Sequence, residues 1–279
     1  MAANLAPTVL LNTGFSMPRT GFGTWPLRGD DCASAVVSAI DAGYRSIDTA
    51  AAYHNEDGVG LGLKNSGLAR EELFVTTKLR GQSQGGGRAR EALLTSLDKL
   101  GLDYVDLYLI HWPNPSVDLY VEAYAELLEL ADEGLIRSVG VSNFKQEHLK
   151  KIVDATGIEP AVDQIQVSPT IGRKALVADI QRSSTVVVAW SPLERNSGVL
   201  QSPTLTTIAD RLKVSTGQVA LRWLVERDIV PIPHSGNPER QKQNADIFDF
   251  ELSKSDMTAI DALDSDAEGE LDSATHIEM

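Results

Sequence analysis

The chain has 279 residues, of which 42% are hydrophobic and 23% charged, a composition typical of a compact water-soluble protein. Its 25 basic and 39 acidic residues give a net charge of -14, which argues against nucleic acid and anionic membranes as partners. Cys32 is the single cysteine, which excludes an internal disulfide and favours a cytoplasmic location. We find neither an export signal nor an apolar run of about 18 residues.

Strand-like and helix-like segments alternate along the chain. Residues 8–11 and 16–20 read as a hairpin around Asn12-Thr13-Gly14. Eight further strands are predicted at 20–25, 44–49, 73–79, 105–112, 138–142, 161–167, 185–191 and 229–233. Amphipathic helical patterns lie between them, for example at 89–100 and 120–130. Eight such units predict an α/β fold with one (β/α)8 TIM barrel domain over residues 1–279, in which 264–279 form an acidic C-terminal tail.

An open, doubly wound sheet is the rival fold. If it bound a dinucleotide, it would normally carry a G-x-G-x-x-G turn after an early strand. Gly21-Phe22-Gly23 runs into Thr24-Trp25-Pro26 without that motif, and Gly58, Gly60 and Gly62 fall in a helical stretch where they favour close packing. The barrel is therefore the better prediction.

Four polar side chains stand at or near the ends of neighbouring predicted strands. They are Asp48, Tyr53, Lys78 and His111. Taken singly, each has a structural interpretation: a helix cap, a loop aromatic, an ion-pair partner and a core histidine. Because active sites of such barrels form at the carboxyl ends of the strands, the four are predicted to share one pocket. An ammonium on an apolar strand needs a partner, and Asp48 is the one we expect.

These residue types suggest carbonyl chemistry. An ammonium beside Tyr53 is expected to lower the pKa of the phenol and make it a general acid. His111 would donate a hydrogen bond to the carbonyl oxygen. The five histidines and one cysteine form no metal-binding pattern, so a nicotinamide is the natural hydride source.

Four segments carry a resemblance to a known family. They are IDTAAAYHNE at 47–56, TTKL at 76–79, DLYLIHWP at 106–113 and GVSNF at 140–144. Together they resemble the signatures of the aldo-keto reductases, closest to the bacterial 2,5-diketo-D-gluconate reductase branch. The resemblance implies a barrel whose bottom is closed by the hairpin, a monomer, and reduction of aldehydes or ketones with NADPH. It also implies a catalytic tetrad of Asp48, Tyr53, Lys78 and His111.

The resemblance further implies residues for cofactor and substrate. The cofactor contacts would be Ser142, Asn143 and Gln164 on the carboxamide, Trp190 stacked on the nicotinamide, Ser191 and Leu193 on the pyrophosphate, and Ser235, Asn237, Arg240 and Asn244 at the phosphate and adenine end. Trp25, His111 and Trp112 would contact the substrate. Independently, Asn237 and Pro238 suit the start of a helix, whose N-terminus favours an anion.

The chain departs from the family pattern at four places. His234 replaces a lysine that contacts the 2'-phosphate, which predicts a weakened NADPH preference with NADH tolerated. Asp163 replaces an asparagine, exchanging an amide donor for a carboxylate that only accepts hydrogen bonds. Gln243 replaces a glutamate near the adenine. Arg80 replaces a pocket tryptophan and is interpreted as a solvated rim charge, the alternative being attraction of an anionic substrate such as a keto acid.

Two other functions remain open from the sequence. A Schiff-base aldolase would also use a lysine such as Lys78 at a barrel strand end. A non-catalytic NADP(H)-binding regulatory protein could retain the same fold. The physiological carbonyl compound is not identified by the sequence, although a small keto or diketo compound fits the resemblance.

Overall fold

Strands alternate with helices in the part of the chain that the computed structural model describes, residues 5–194, 197–265, 267 and 269–278. The strands are β1 (Thr8–Leu10), β2 (Ser16–Pro18), β3 (Phe22–Gly23), β4 (Ser46–Asp48), β5 (Phe74–Leu79), β6 (Val105–Ile110), β7 (Ile136–Ser142), β8 (Val162–Gln166), β9 (Val186–Trp190) and β10 (Ile229–Pro231). The helices are α1 (Gly29–Asp41), α2 (Glu56–Asn65), α3 (Arg88–Leu100), α4 (Tyr120–Asp132), α5 (Gln146–Thr156), α6 (Lys174–Gln181), α7 (Pro203–Leu212), α8 (Thr216–Glu226), α9 (Pro238–Ala245) and α10 (Lys254–Asp261). None of these described helices is both long and apolar enough to cross a membrane. Asp266, Glu268 and Met279 of the predicted tail lie outside the described residues.

The first two strands form the predicted hairpin. They pair antiparallel, with Val9 opposite Met17. Leu11 and Met17 are buried among apolar side chains of the main sheet. The side-chain amide of Asn12 donates to the carbonyl oxygen of Glu159, just before β8, at 3.2 Å. The hairpin therefore lies at the end of the sheet where the strands begin.

Strands β3 to β10 form one parallel sheet in which each strand pairs with its neighbours in sequence. The backbone amides of Gly21 and Gly23 donate to the carbonyl oxygens of Pro231 and Pro233, each at 3.0 Å. These bonds connect the two edges, so the sheet curls back on itself. The eight predicted strands are confirmed, and the curled sheet with its surrounding helices is consistent with a (β/α)8 barrel.

Both faces of the sheet are buried, which explains the near-continuous apolar runs in the sequence. All six residues of β6 are buried. Leu107 and Leu109 pack with Val188 and Val230 inside the curled sheet. Tyr108, by contrast, belongs to the larger cluster that includes the apolar faces of the helices. Burial on both faces is typical of parallel sheets covered by helices.

The glycines of α2 allow close packing, as predicted. A Cβ atom on Gly60 would lie 2.5 Å from the carbonyl oxygen of Leu100 at the end of α3. One on Gly62 would lie 2.7 Å from Cβ of Val36 in α1. Larger residues at these positions would force the helices apart, so the glycines serve packing.

Candidate active site

A cavity of about 770 Å³ opens at the carboxyl ends of the strands. Asp48, Tyr53 and His111 line it, as predicted from their positions at or just beyond the ends of β4 and β6. Trp25 and Trp112, the predicted substrate contacts, also line it, and Trp25 remains 44% exposed. Three of the four predicted catalytic residues and the predicted substrate contacts therefore line one cavity, whereas Lys78 is not among its described lining residues.

Lys78 is fully buried in β5 and contacts both Asp48 and Tyr53. Its Nζ donates to Asp48 Oδ1 at 2.5 Å and to the carbonyl oxygen of Thr49 at 2.8 Å. A longer bond of 3.4 Å reaches the hydroxyl of Tyr53. Burial has the largest single effect and lowers the pKa of Lys78, but Asp48 and Tyr53 together outweigh burial and leave that pKa raised. Lys78 is therefore charged at neutral pH, and Asp48 is its partner as expected.

The expected net lowering of the pKa of Tyr53 is wrong. Burial raises the pKa of this phenol, and the opposing effect of Lys78 only partly offsets it. Tyr53 is consequently protonated at neutral pH, which is the form that a proton donor needs. Lys78 holds the pKa of Tyr53 below the value that burial alone would give it.

Asn55 fixes the loop that carries Tyr53. Tyr53 ends a short 3₁₀ turn after β4, and His54 follows in the left-handed region with φ of 51°. The buried side chain of Asn55 accepts from the hydroxyl of Thr49 at 2.6 Å and donates to the carbonyl oxygen of Leu27 at 3.0 Å. Sequence reasoning assigned Asn55 no role, although it stands two residues after Tyr53 in the signature segment. It joins the loops after β3 and β4 and so holds the phenol in place.

His111 follows β6 directly and faces Tyr53. Their rings meet edge to face with centroids 5.6 Å apart. The carbonyl oxygen of His111 accepts from the side chain of Asn143 at 3.1 Å. On its other side, Nδ1 of His111 lies 2.7 Å from Oε1 of Glu278. Sequence reasoning missed Glu278, because no local pattern indicates where an acidic tail runs.

The predicted carboxamide contacts are bonded mainly to one another. Asn143, with φ of 63°, donates to the hydroxyl of Ser142 at 3.0 Å as well as to His111, and its Oδ1 accepts from the indole of Trp190 at 2.9 Å. Gln164 donates its amide to Asp48 Oδ2 at 2.7 Å. Both Asn143 donors are thus used within the protein, and its oxygen retains one acceptor position. Gln164 links this group of residues to the tetrad.

Asp163 differs from the acceptor-only carboxylate that the sequence suggested. It is fully buried, and burial raises its pKa well above the usual range. Its Oδ1 accepts from the backbone of Phe144 at 3.4 Å. A protonated Asp163 carries an O–H donor, as the asparagine amide of the family does.

The predicted pyrophosphate contacts line the far side of the cavity, whereas the predicted contacts at the start of α9 are not among its described lining residues. Ser191 and Leu193 line the cavity after β9, and His234 lines it after β10, with its ring stacked on Phe22. Asn237 caps α9 by accepting from the backbone amides of Glu239 and Arg240 at 2.9 and 3.2 Å, with Pro238 as the first helical residue. The predicted helix start is confirmed. Ser235 and Asn244 are buried, whereas Arg240 and Gln243 are exposed.

Arg80 lies just beyond β5. Its side chain is partly buried, and it is not among the described residues that line the cavity. Its interpretation as a rim charge stays a prediction.

A buried lysine–aspartate pair beneath a tyrosine and a histidine, at the mouth of an eight-stranded parallel sheet, defines a class of oxidoreductases. The model of the Aldo/keto reductase family matches residues 19–265, most of the chain. The chain belongs to this family, as the signature segments predicted, and is an oxidoreductase that acts on carbonyl groups.

Among curated relatives, the chain is 44% identical to methylglyoxal reductase DkgA of Escherichia coli (strain K12) over 260 residues, covering 92% of this chain and 94% of the relative. It is 42% identical to 2,5-diketo-D-gluconic acid reductase B of Corynebacterium sp. (strain SHS752001) over 273 residues, covering 98% and 99%. Both relatives are therefore similar to this chain along almost their whole length.

Solved structures agree with this assignment. An aldo/keto reductase of Brucella melitensis superposes with a TM-score of 0.90 at 44% identity, covering 93% of this chain and 100% of that one. An aldo-keto reductase of Bombyx mori, solved in complex with NADP, superposes with a TM-score of 0.89 at 39% identity and 95% coverage of each chain. The family therefore includes close structural neighbours that bind the nicotinamide cofactor.

Proposed function

We propose that this chain is a single-domain (β/α)8 barrel, closed at its bottom by the hairpin, that reduces aldehydes and ketones to alcohols with NADPH. The observation that carries the proposal is the buried position of Lys78 between Asp48 and the hydroxyl of Tyr53. The desolvation of a buried ion pair costs about as much free energy as the pair returns, so stability alone does not explain it. Here the pair also contacts a phenol that lines a cavity, which supports a functional role.

Tyr53 is the proton donor in this reaction. Its phenol is protonated at neutral pH and faces the cavity beside His111. Lys78, held by Asp48, favours the phenolate that forms when the proton leaves for the carbonyl oxygen. His111 donates a hydrogen bond to the same oxygen and fixes its position. The tetrad thus accounts for the proton and the orientation of the substrate.

The cavity fits a nicotinamide cofactor beside a small substrate. Trp190 offers an aromatic face at one wall, and Ser142, Asn143 and Gln164 offer polar groups next to it. Ser191 and Leu193 stand where a pyrophosphate would pass, and Ser235, Asn237, Arg240 and Asn244 stand around the start of α9, where a helix N-terminus favours phosphate. When bound there, NADPH supplies the hydride that reduces the carbonyl carbon.

The substrate belongs to the small keto or diketo compounds. Two similar relatives are named for different members of that class: methylglyoxal is uncharged, whereas 2,5-diketo-D-gluconic acid carries a carboxylate at neutral pH. We propose further that NADPH is preferred only moderately over NADH, because His234 replaces a lysine. Finally, we propose that the protein is a monomer located in the cytoplasm. The single, buried Cys32 supports a reducing compartment.

The direct test is NADPH oxidation by the purified protein with methylglyoxal, simple aldehydes and diketones, repeated with NADH. We expect turnover with NADPH that depends on the carbonyl compound. Borohydride treatment with the substrate present tests the aldolase alternative. Covalent trapping at Lys78 would favour the aldolase, and tight NADPH binding without any turnover would favour a regulatory protein.

A further inference from the structure

The last described segment, residues 269–278, runs across the end of the sheet that carries the cavity. The backbone amide of Glu270 donates to Oε1 of Gln166, the last residue of β8, at 2.7 Å. Further on, Lys145 forms an ion pair of 2.7 Å with Asp272. The segment is therefore attached to two of the loops and strand ends that surround the site.

Its final described residue, Glu278, is held in a built position. The side-chain amide of Asn114 donates to the carbonyl oxygen of Glu278 at 2.7 Å and accepts from its backbone amide at 2.9 Å. Gly81 lies so close that a Cβ atom would be 1.8 Å from the same carbonyl oxygen. Two residues earlier in the chain, the ring of His276 packs against that of Trp112 with centroids 4.3 Å apart. The backbone around Glu278 has little freedom to move.

The carboxylate of Glu278 is directed at the catalytic centre. Its Oε1 lies 2.7 Å from Nδ1 of His111, and its Oε2 accepts from the backbone amide of Gly81 at 3.3 Å. The side chain is only 13% exposed. A carbonyl oxygen bonded to the other nitrogen of His111 would lie within about 8 Å of this carboxylate. A carboxylate on the same substrate would share this poorly solvated site with Glu278, and two like charges repel more strongly there than in bulk water.

The cavity itself adds negative charge. Asp48, Glu194 and Glu270 are among the described residues that line it, and none of the described lining residues is a lysine or arginine. Asp48 is balanced by Lys78 directly behind it. The described residues that line the cavity therefore offer a substrate anion no side chain of fixed positive charge.

We infer that Glu278 is a specificity-determining residue, which makes the site select uncharged carbonyl compounds over those that carry a carboxylate. The inference rests on the proposed reductase function and decides between its two substrate classes in favour of the uncharged one. Glu278 repels a carboxylate carried by the substrate. Its contacts with Asn114 and Gly81 hold it in the position from which it does so.

The test compares 4-formylbenzamide with 4-formylbenzoate, which are nearly the same size and differ in charge. The measured quantity is the ratio of their kcat/KM values, amide over carboxylate. We expect the wild-type ratio to be well above one and to fall about tenfold in Glu278→Gln, which retains the shape and the backbone bonds of the residue. Glu251→Gln, at an exposed position outside the cavity, removes the same charge and should leave the ratio unchanged.

A second variant tests position instead of charge. Gly81→Ala places a Cβ where the carbonyl oxygen of Glu278 lies, so the carboxylate must move and the ratio should again fall. A ratio that stays the same in Glu278→Gln, or that falls equally in Glu251→Gln, would overturn the inference. A wild-type protein that oxidises NADPH with neither aldehyde nor methylglyoxal would instead refute the proposed reductase function.

Discussion

The two sides of the cavity are built differently. On one side, Lys78 and Asp48 are buried and bonded to each other at 2.5 Å. On the other, Arg240 is exposed on the first turn of α9, and the side chain of Asn237 caps that helix. A buried, fully bonded group is fixed before substrate arrives, whereas an exposed cation contributes mainly attraction. The chemistry should therefore be sensitive to small changes on the first side, and cofactor preference should be adjustable on the second.

The largest effect is expected for Lys78→Met. It removes the effect of Lys78 on the pKa of Tyr53. It also leaves Asp48 as a buried charge whose remaining side-chain partner among the described residues is Gln164. We expect kcat/KM to fall about 1,000-fold and the free energy of unfolding to fall by about 3–5 kcal/mol. Steady-state kinetics and urea denaturation measure the two losses.

The matched control is the double variant Asp48→Asn, Lys78→Met. It removes both charges, so it should recover much of the lost stability while remaining inactive. A single variant as stable as wild type would mean that the pair is not buried as described.

An intermediate effect is expected on the exposed side. His234→Lys places a permanent cation where the sequence lacks the usual lysine, so the KM for NADPH should fall about tenfold while the KM for NADH stays the same. The kcat should not change, because His234 is outside the tetrad. Arg240→Gln should move the KM for NADPH in the opposite direction. If His234→Lys improved both cofactors equally, the 2'-phosphate would not be its target.

The smallest effect is expected for Asp163→Asn. The pKa of Asp163 is raised in the folded protein, so the folded state binds a proton that the unfolded state releases, and stability falls as pH rises from about 4 towards the raised value. The variant has no carboxyl group at this position, so its stability does not fall with pH for this reason. Its unfolding free energy should exceed that of wild type by about 1 kcal/mol at pH 8, roughly 2 °C in Tm, with a smaller difference at pH 5. Thermal melts at both values of pH measure it, and a difference that shrinks as pH rises would contradict the account.

The proximity of Asp48, Tyr53, Lys78 and His111 could be predicted from the sequence because position along a parallel strand determines position in the sheet. Asp48 and Lys78 occupy neighbouring strands near their carboxyl ends, and a lysine in an apolar run needs a partner. The hairpin and the start of α9 were predictable for a similar reason, since turn and capping residues act locally.

Other features depend on contacts between distant segments. Glu278 reaches His111 only because Asn114 and Gly81 receive the tail, and no local pattern encodes that path. The raised pKa values of Tyr53 and Asp163 could not be predicted, because burial, the largest influence on both, is set by the whole fold. Sequence therefore indicates which groups can react. It indicates less well how the surroundings of those groups shift their pKa values.

The central claim, that Tyr53 gives the proton while the rest of the site holds cofactor and substrate, is tested most directly by Tyr53→Phe. The variant removes one hydroxyl from a ring that keeps its packing against His111. We expect kcat with methylglyoxal to fall by about 1,000-fold or more, while the Kd for NADPH, measured by fluorescence titration, changes less than about threefold. A variant that keeps substantial turnover, or one that loses NADPH binding together with activity, would contradict the assignment of Tyr53 as the proton donor.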